Sequence, residues 1–170
     1  MTPAGIVAVA FAAAALCGAA PSPAPAPAET PAVLDVPVAH LYLREADEAA
    51  MFAAINALRR AHGVPALAVD PRLTDIARAY ARAMLLGRFF GHEDPAGHAL
   101  PDRLKDAHYG YVRAGENIAF NHDEPGAQSA LEASPGHRAN MLERGFTRVG
   151  IGVIADSVYG SAFVQDFAGS

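Results

Sequence analysis

Cysteine and tryptophan are nearly missing from this chain, which has one Cys, Cys17, and no Trp in 170 residues. A lone thiol near the N-terminus allows no internal disulfide, so stability has to come from buried apolar surface. Basic charge is also scarce, with 13 Lys and Arg against 18 Asp and Glu and a formal net charge of -5. A phosphate backbone is bound by a basic surface, so this balance argues against nucleic acid as a partner and offers no basic patch for a membrane. A stable transmembrane helix needs about 20 predominantly apolar residues, and the run Ile6–Ala15 is short and rich in Ala.

What the N-terminus does have is that apolar run, a set of small residues after it, and Pro/Ala alternation from Pro21 to Ala28. These predict an export segment or signal peptide over residues 1–20 and a Pro/Ala-rich linker over residues 21–40. Ala26-Pro27-Ala28 offers a cleavage site before Glu29, and Ala20 an earlier one. The expected compartment is extracellular or periplasmic. The alternative is a lipid anchor through Cys17, although Ala14-Ala15-Leu16 before it match the usual lipidation order poorly.

A single domain is expected over residues 45–168. From Glu45 to His62 the residues Met51, Phe52, Ile55 and Leu58 recur at helical spacing, and Gly63 follows as a stop. Asp70-Pro71 opens a second helix as cap and first residue; Leu73, Ile76, Ala77, Tyr80 and Met84 form its apolar face, and Gly87 ends it. Shorter helices are predicted over 101–107, within 125–133, and from Pro135 with Ser134 as its cap. The period then changes: Val149, Ile151 and Val153 alternate with Gly150, Gly152 and Ile154, and a second strand covers Ala162 to Phe167 across a loop at 156–160. Gly115 to Phe120 reads as a further short strand. Helices first and strands last predict an α+β layered fold.

Several reactive motifs are absent. His92-Glu93-Asp94-Pro95-Ala96 lacks the second His of a zinc-protease helix, and Pro95 would break that helix. There is no G-x-S-x-G elbow, and Gly150-Ile151-Gly152 lacks the third glycine of a dinucleotide loop, so close packing is the better reading. Three polar clusters remain: Phe89-Phe90-Gly91-His92 with Gly97, Ala114-Gly115-Glu116-Asn117-Ile118-Ala119, and Ser134 to Leu142 around His137. Taken singly, each His reads as a core histidine with one hydrogen bond and Glu116 as a loop anchor.

Taken together with Asn56-x-x-Arg59, Leu67, Asp70-x-x-Leu73-x-x-x-Ala77, Arg103, Val149-Gly150-Ile151-Gly152 and Gln165-Asp166-Phe167, the clusters resemble the CAP superfamily. This is the group of cysteine-rich secretory, antigen 5 and pathogenesis-related proteins, and the match is to its bacterial secreted, SCP-like members over most of residues 50–168. The resemblance implies a three-layer α-β-α sandwich with a surface cleft of two His and one or two Glu. By motif, His92, Glu116 and His137 take those places and are the expected metal ligands for Zn²⁺ or another divalent ion, weakly held. A second cleft Glu has no clear match; Glu132 is near in sequence, and Leu131 stands where many bacterial members have Trp.

The cluster has an equally simple alternative, in which His92 and His137 bond Glu116 and pin helices to the sheet with no ligand. The resemblance favours a binding module for a small apolar ligand such as a lipid, an envelope component or a protein partner. A metal-dependent hydrolase or peptidase and a purely structural secreted domain are the alternatives. No motif supplies a nucleophile or an oxyanion hole. His40, His62, His98, His108 and His122 are expected to be solvated, and Arg138 and Asn140 to be structural hydrogen-bonders.

Overall fold

The computed structural model describes residues 32–33 and 40–169. The export segment, its cleavage sites, Cys17 and most of the Pro/Ala linker lie outside the described residues. No helix among those described is long and apolar enough to cross a membrane.

In chain order the elements are β1 (Ala32–Val33), β2 (Leu41–Leu43), α1 (Glu45–Ala61), β3 (Ala68–Val69), α2 (Pro71–Gly87), β4 (Phe89–Phe90), α3 (Leu100–Asp106), β5 (Arg113–Asn121), α4 (Glu124–Ala133), α5 (Pro135–Leu142), β6 (Arg148–Asp156) and β7 (Gly160–Gly169). The main sheet runs β2-β6-β7-β5, with β3 parallel to β6 and the other pairs antiparallel. β2 meets residues 154–156 and β3 residues 148–149, so the two short strands share one edge of β6. The opposite edge of the sheet is β5. A separate pair joins β1 to β4.

Strand alternation sorts the core into two layers. Val149, Ile151, Val153, Phe163 and Phe167 face α1, α4 and α5, meeting Met51, Ile55, Leu131 and Met141. Ile118, Ile154, Ala162 and Val164 face the other way, onto Tyr80, Ala81, Met84 and Leu85 of α2. Leu73, Leu100, Leu104 and Ala168 extend that second layer to α3. The result is the expected α+β arrangement, a sheet between two helical layers.

Two of the alternating positions of β6 are glycines because α2 lies directly on them. A Cβ on Gly150 would fall 2.1 Å from the Leu73 carbonyl carbon, and one on Gly152 2.3 Å from the Arg78 nitrogen. The helix starts as its sequence dictates: Asp70 Oδ1 accepts from the N–H groups of Arg72 and Leu73, with Pro71 in the first turn. It ends at Gly87 as expected, but the left-handed turn falls one residue later. Gly87 stays in the last turn, where a side chain would strike the Phe89 ring at 2.9 Å, and Arg88 takes the left-handed turn at φ 54°.

Ser134 also differs. It ends α4 and precedes α5, but its hydroxyl makes no cap bond and is buried without a partner; its backbone N–H and carbonyl serve the two helices instead, bonding the Ala130 carbonyl and the Arg138 N–H. Arg59 ties α1 to the far side of the molecule. It is fully buried and donates to the carbonyls of Pro65, Met141, Glu143 and Phe146, with burial lowering its pKa.

Candidate functional site

Glu116 sits in the middle of the edge strand β5, on the face that Ile118 shares with α2. His92 lies two residues beyond the end of β4 and His137 in the first turn of α5, so three remote segments meet at this edge. His92 Nδ1 lies 2.9 Å from Glu116 Oε1, and the His92 and His137 rings are 6.4 Å apart, centroid to centroid. The Glu116 side chain is only 5% exposed, whereas that of His92 is 43% exposed. The structure therefore brings all three sequence-predicted residues together, with Glu116 as the buried member and His92 as the one that faces solvent.

The other oxygen of Glu116 belongs to Arg103 of α3, which forms a short ion pair with Oε2. The same guanidinium donates to the carbonyls of His92 and His98 at 3.3 Å each and lies over the Tyr80 ring, its Cζ 3.4 Å from the centroid. Tyr80 in turn donates its hydroxyl to the Gly91 carbonyl at 2.6 Å. Burial pushes the Tyr80 hydroxyl pKa up, so it stays a donor. Arg103 thus holds both the carboxylate and the loop that carries His92.

Behind Glu116, directly across the β5–β7 ladder, is Asp166. It is fully buried and neither of its oxygens reaches a hydrogen-bond partner of normal geometry. Burial, and then the charge of Glu116, raise its pKa well above 3.8 against the opposing pull of Arg103, which favours the neutral acid. His137 is 9% exposed, and burial followed by the neighbouring His92 lowers its pKa, which favours the neutral imidazole.

On the opposite face of β5 a chain of side-chain amides fixes α4 and α5. Asn140 donates to the Glu116 carbonyl and to Asn117 Oδ1; Asn117 donates to the His137 carbonyl and to Gln165; Gln165 donates to Gln128. Gln128 then donates to Glu132 one turn on, at 2.9 Å. Glu132 is bound into this helical chain, and Leu131 is core. Arg138 meets His62 at the surface, and Asn140 is the structural hydrogen-bonder that was expected.

Residues 52–167 match the family model described as CAP, the cysteine-rich secretory protein family. The chain belongs to this family. Relatives of the CAP domain include two Bacillus subtilis proteins. The membrane protein YlbC is 34% identical over 99 residues, 58% of this chain and 29% of YlbC. YkwD is 34% identical over 117 residues, 67% of this chain and 44% of YkwD. Among solved structures, an extracellular SCP-domain protein from Bacillus anthracis superposes with a TM-score of 0.68 at 33% identity, over 74% of this chain and 41% of that one. This chain spans less than half the length of each of these relatives.

The donor set of the CAP cleft bears on the metal expected from its sequence. Both Glu116 oxygens are engaged, one by an imidazole and one by a guanidinium whose positive charge opposes a second cation beside it. Two imidazoles remain. An ion about 2.1 Å from each ring nitrogen in tetrahedral geometry holds two such rings roughly 5 Å apart, centroid to centroid, closer than the 6.4 Å found. Among the described residues no three His, Cys, Asp or Glu side chains form a ligand set. Glu116 stands where an outer partner orients a histidine, a different place from that of a third ligand.

Arg103, Asp166 and Tyr80 complete the site and were not singled out by sequence reasoning as members. Arg103 and Asp166 stand inside the family motifs, but the contact that gives each its role lies across the fold.

Proposed function

We propose that this CAP domain is an extracytoplasmic binding module whose exposed imidazole face receives a hydrogen-bonding group of an envelope component or partner protein. The observation that carries the reading is the clamp on Glu116 by His92 Nδ1 and Arg103. A carboxylate at Nδ1 places the neutral ring's proton there, leaving Nε2 as an acceptor toward solvent. His137, largely buried and kept neutral, backs this ring from α5. The site is thereby preorganised to accept hydrogen bonds from hydroxyl or amine donors, and no part of it has to unfold to do so. The apolar N-terminus and the similarity to an extracellular SCP-domain protein support the compartment.

Hydrolysis draws less support. A carboxylate-oriented His is also the geometry of a general base, but the hydroxyls near it are committed or sealed: Tyr80 bonds Gly91, and Ser134 is buried at 6% exposure. The test is imidazole NMR during titration with solubilised cell-wall fragments, envelope proteins and lipid vesicles. The reading expects one of these to shift the His92 and His137 ring signals saturably, with loss of binding in His92→Ala. Turnover of a peptide substrate that is abolished by His92→Ala and by chelation would contradict it in favour of a metal-dependent hydrolase.

A further inference from the structure

A second feature borders the site through Tyr80 and Arg103 but uses neither imidazole and does not depend on the reading above. Between α2, α3 and the loop after His92 there is an open groove of ≈ 540 Å³, within the range of small-molecule sites. Its floor is apolar, made by Ile76, Ala79, Tyr80 and Ala83 from one stripe of α2. Ala79 and Ala83 are exposed, so none of the described residues packs over them.

The charges around this floor are of both signs but are not equally available. Arg72 donates to the carbonyls of Ala107 and His108 at one end, and Arg103 is spent on Glu116 and the His92 loop. Asp94 binds the N–H groups of Ala96 and His98. Asp75 on α2 and Asp106 on α3 form no hydrogen bond or ion pair among the described residues. The groove therefore offers a ligand two carboxylates that make no hydrogen bond among the described residues, one on each helical wall above an apolar floor, with Asp75 also in the field of Arg78. A hydrated metal ion would gain nothing from Ile76 and Tyr80, and an anion would meet three lining carboxylates against Arg72, since Arg103 is paired with Glu116.

We propose that this groove binds a small organic cation with an apolar body, its ammonium group between Asp75 and Asp106 and its chain or ring over Ile76, Ala79 and Ala83. An alkylammonium ion stays protonated at neutral pH, its pKa being near the lysine value of about 10.4. Exposed ion pairs are weak singly, and two of them account for about a tenfold preference for a cation over its neutral or anionic counterpart.

Calorimetric titration of the full chain with octylammonium and with octanoate, equal in chain length, tests this. Octylammonium is expected to bind saturably at one site, and octanoate at least about tenfold more weakly. The double variant Asp75→Asn/Asp106→Asn should lose about tenfold for octylammonium and bind octanoate at least as well as the wild type does, which closes the gap between the two probes. Ala83→Trp places an indole in the groove from an exposed position and should abolish binding while the circular dichroism spectrum of the fold is kept. Equal binding of the two probes would reduce the groove to an apolar slot and overturn the proposal. So would octylammonium binding unchanged in either variant, or no saturable binding at all.

Discussion

Replacing Arg103 by Met keeps much of its length and its contact with Tyr80 but removes the charge that Glu116 faces. The Glu116 side chain is 5% exposed and that of Arg103 14%, so water replaces little of what is lost. Breaking a buried pair by deleting one partner costs about 3–5 kcal/mol, because the other charge is left buried. His92 still reaches Oε1 at 2.9 Å, which shields part of that charge and places the expected loss near the lower end, about 3 kcal/mol. Losing the guanidinium over Tyr80 adds roughly 0.5–1 kcal/mol.

The decisive assay is a double-mutant cycle by urea unfolding, with Arg103→Met, Glu116→Gln and the pair. If Arg103 stabilises Glu116 directly, Arg103→Met/Glu116→Gln is more stable than the sum of the singles by about 2 kcal/mol, within the range measured for contacting residues. Additivity within about 0.5 kcal/mol would refute the clamp, since that is how non-contacting sites behave.

Asp166→Asn is expected to change stability according to pH. The folded-state pKa of Asp166 lies above its ordinary value of 3.8, so the folded protein keeps a proton that the unfolded chain has released. Its stabilising contribution is full below that ordinary value and is lost, at about 1.4 kcal/mol per pH unit, as pH rises toward the folded value. Urea midpoints across this window should converge on or fall below those of Asp166→Asn as pH rises, and parallel curves for the two proteins would show that Asp166 is ionised in the fold. Gly152→Ala should destabilise by about 3 kcal/mol, the upper end of the overpacking range, because its Cβ meets backbone of α2 at 2.3 Å. A thermal scan showing no loss would mean that the helix rides higher on the sheet.

The elements most legible in the sequence were those whose signals are local. Asp70-Pro71 and the 3.6-residue period disclosed α2, and the alternation from Val149 onward disclosed the hairpin of β6 and β7. Gly150 and Gly152 correctly announced close packing. β2, β3 and β4 were not foreseen, since two or three residues cannot display a period and exist as strands only through their partners. Gly87 does end α2, but the left-handed turn that glycine favours is made by Arg88, and the Phe89 ring claims the space beside Gly87.

The site divides the same way. His92, Glu116 and His137 stood out as titratable groups in glycine-rich motifs, but their division of labour did not. Asp166 becomes a buried acid facing Glu116 only through the β5–β7 register, and Arg103 reaches Glu116 only because α3 folds back across the sheet. Neither relation has a local signature. Glu132 illustrates the converse: close to His137 in sequence, it is drawn into the amide chain through Gln128.

The clamp on Glu116 determines which nitrogen of His92 carries the proton, and long-range ¹H–¹⁵N correlation spectra of the imidazoles read that out. At a pH where the ring is neutral, His92 is expected to show the Nδ1–H form in the wild type and to lose that preference in Glu116→Gln. Zinc added in stoichiometric amount should leave the wild-type spectrum unchanged. An Nε2–H ring in the wild type, or stoichiometric displacement of the His92 and His137 signals by zinc, would contradict the clamp and return the cleft to a metal centre.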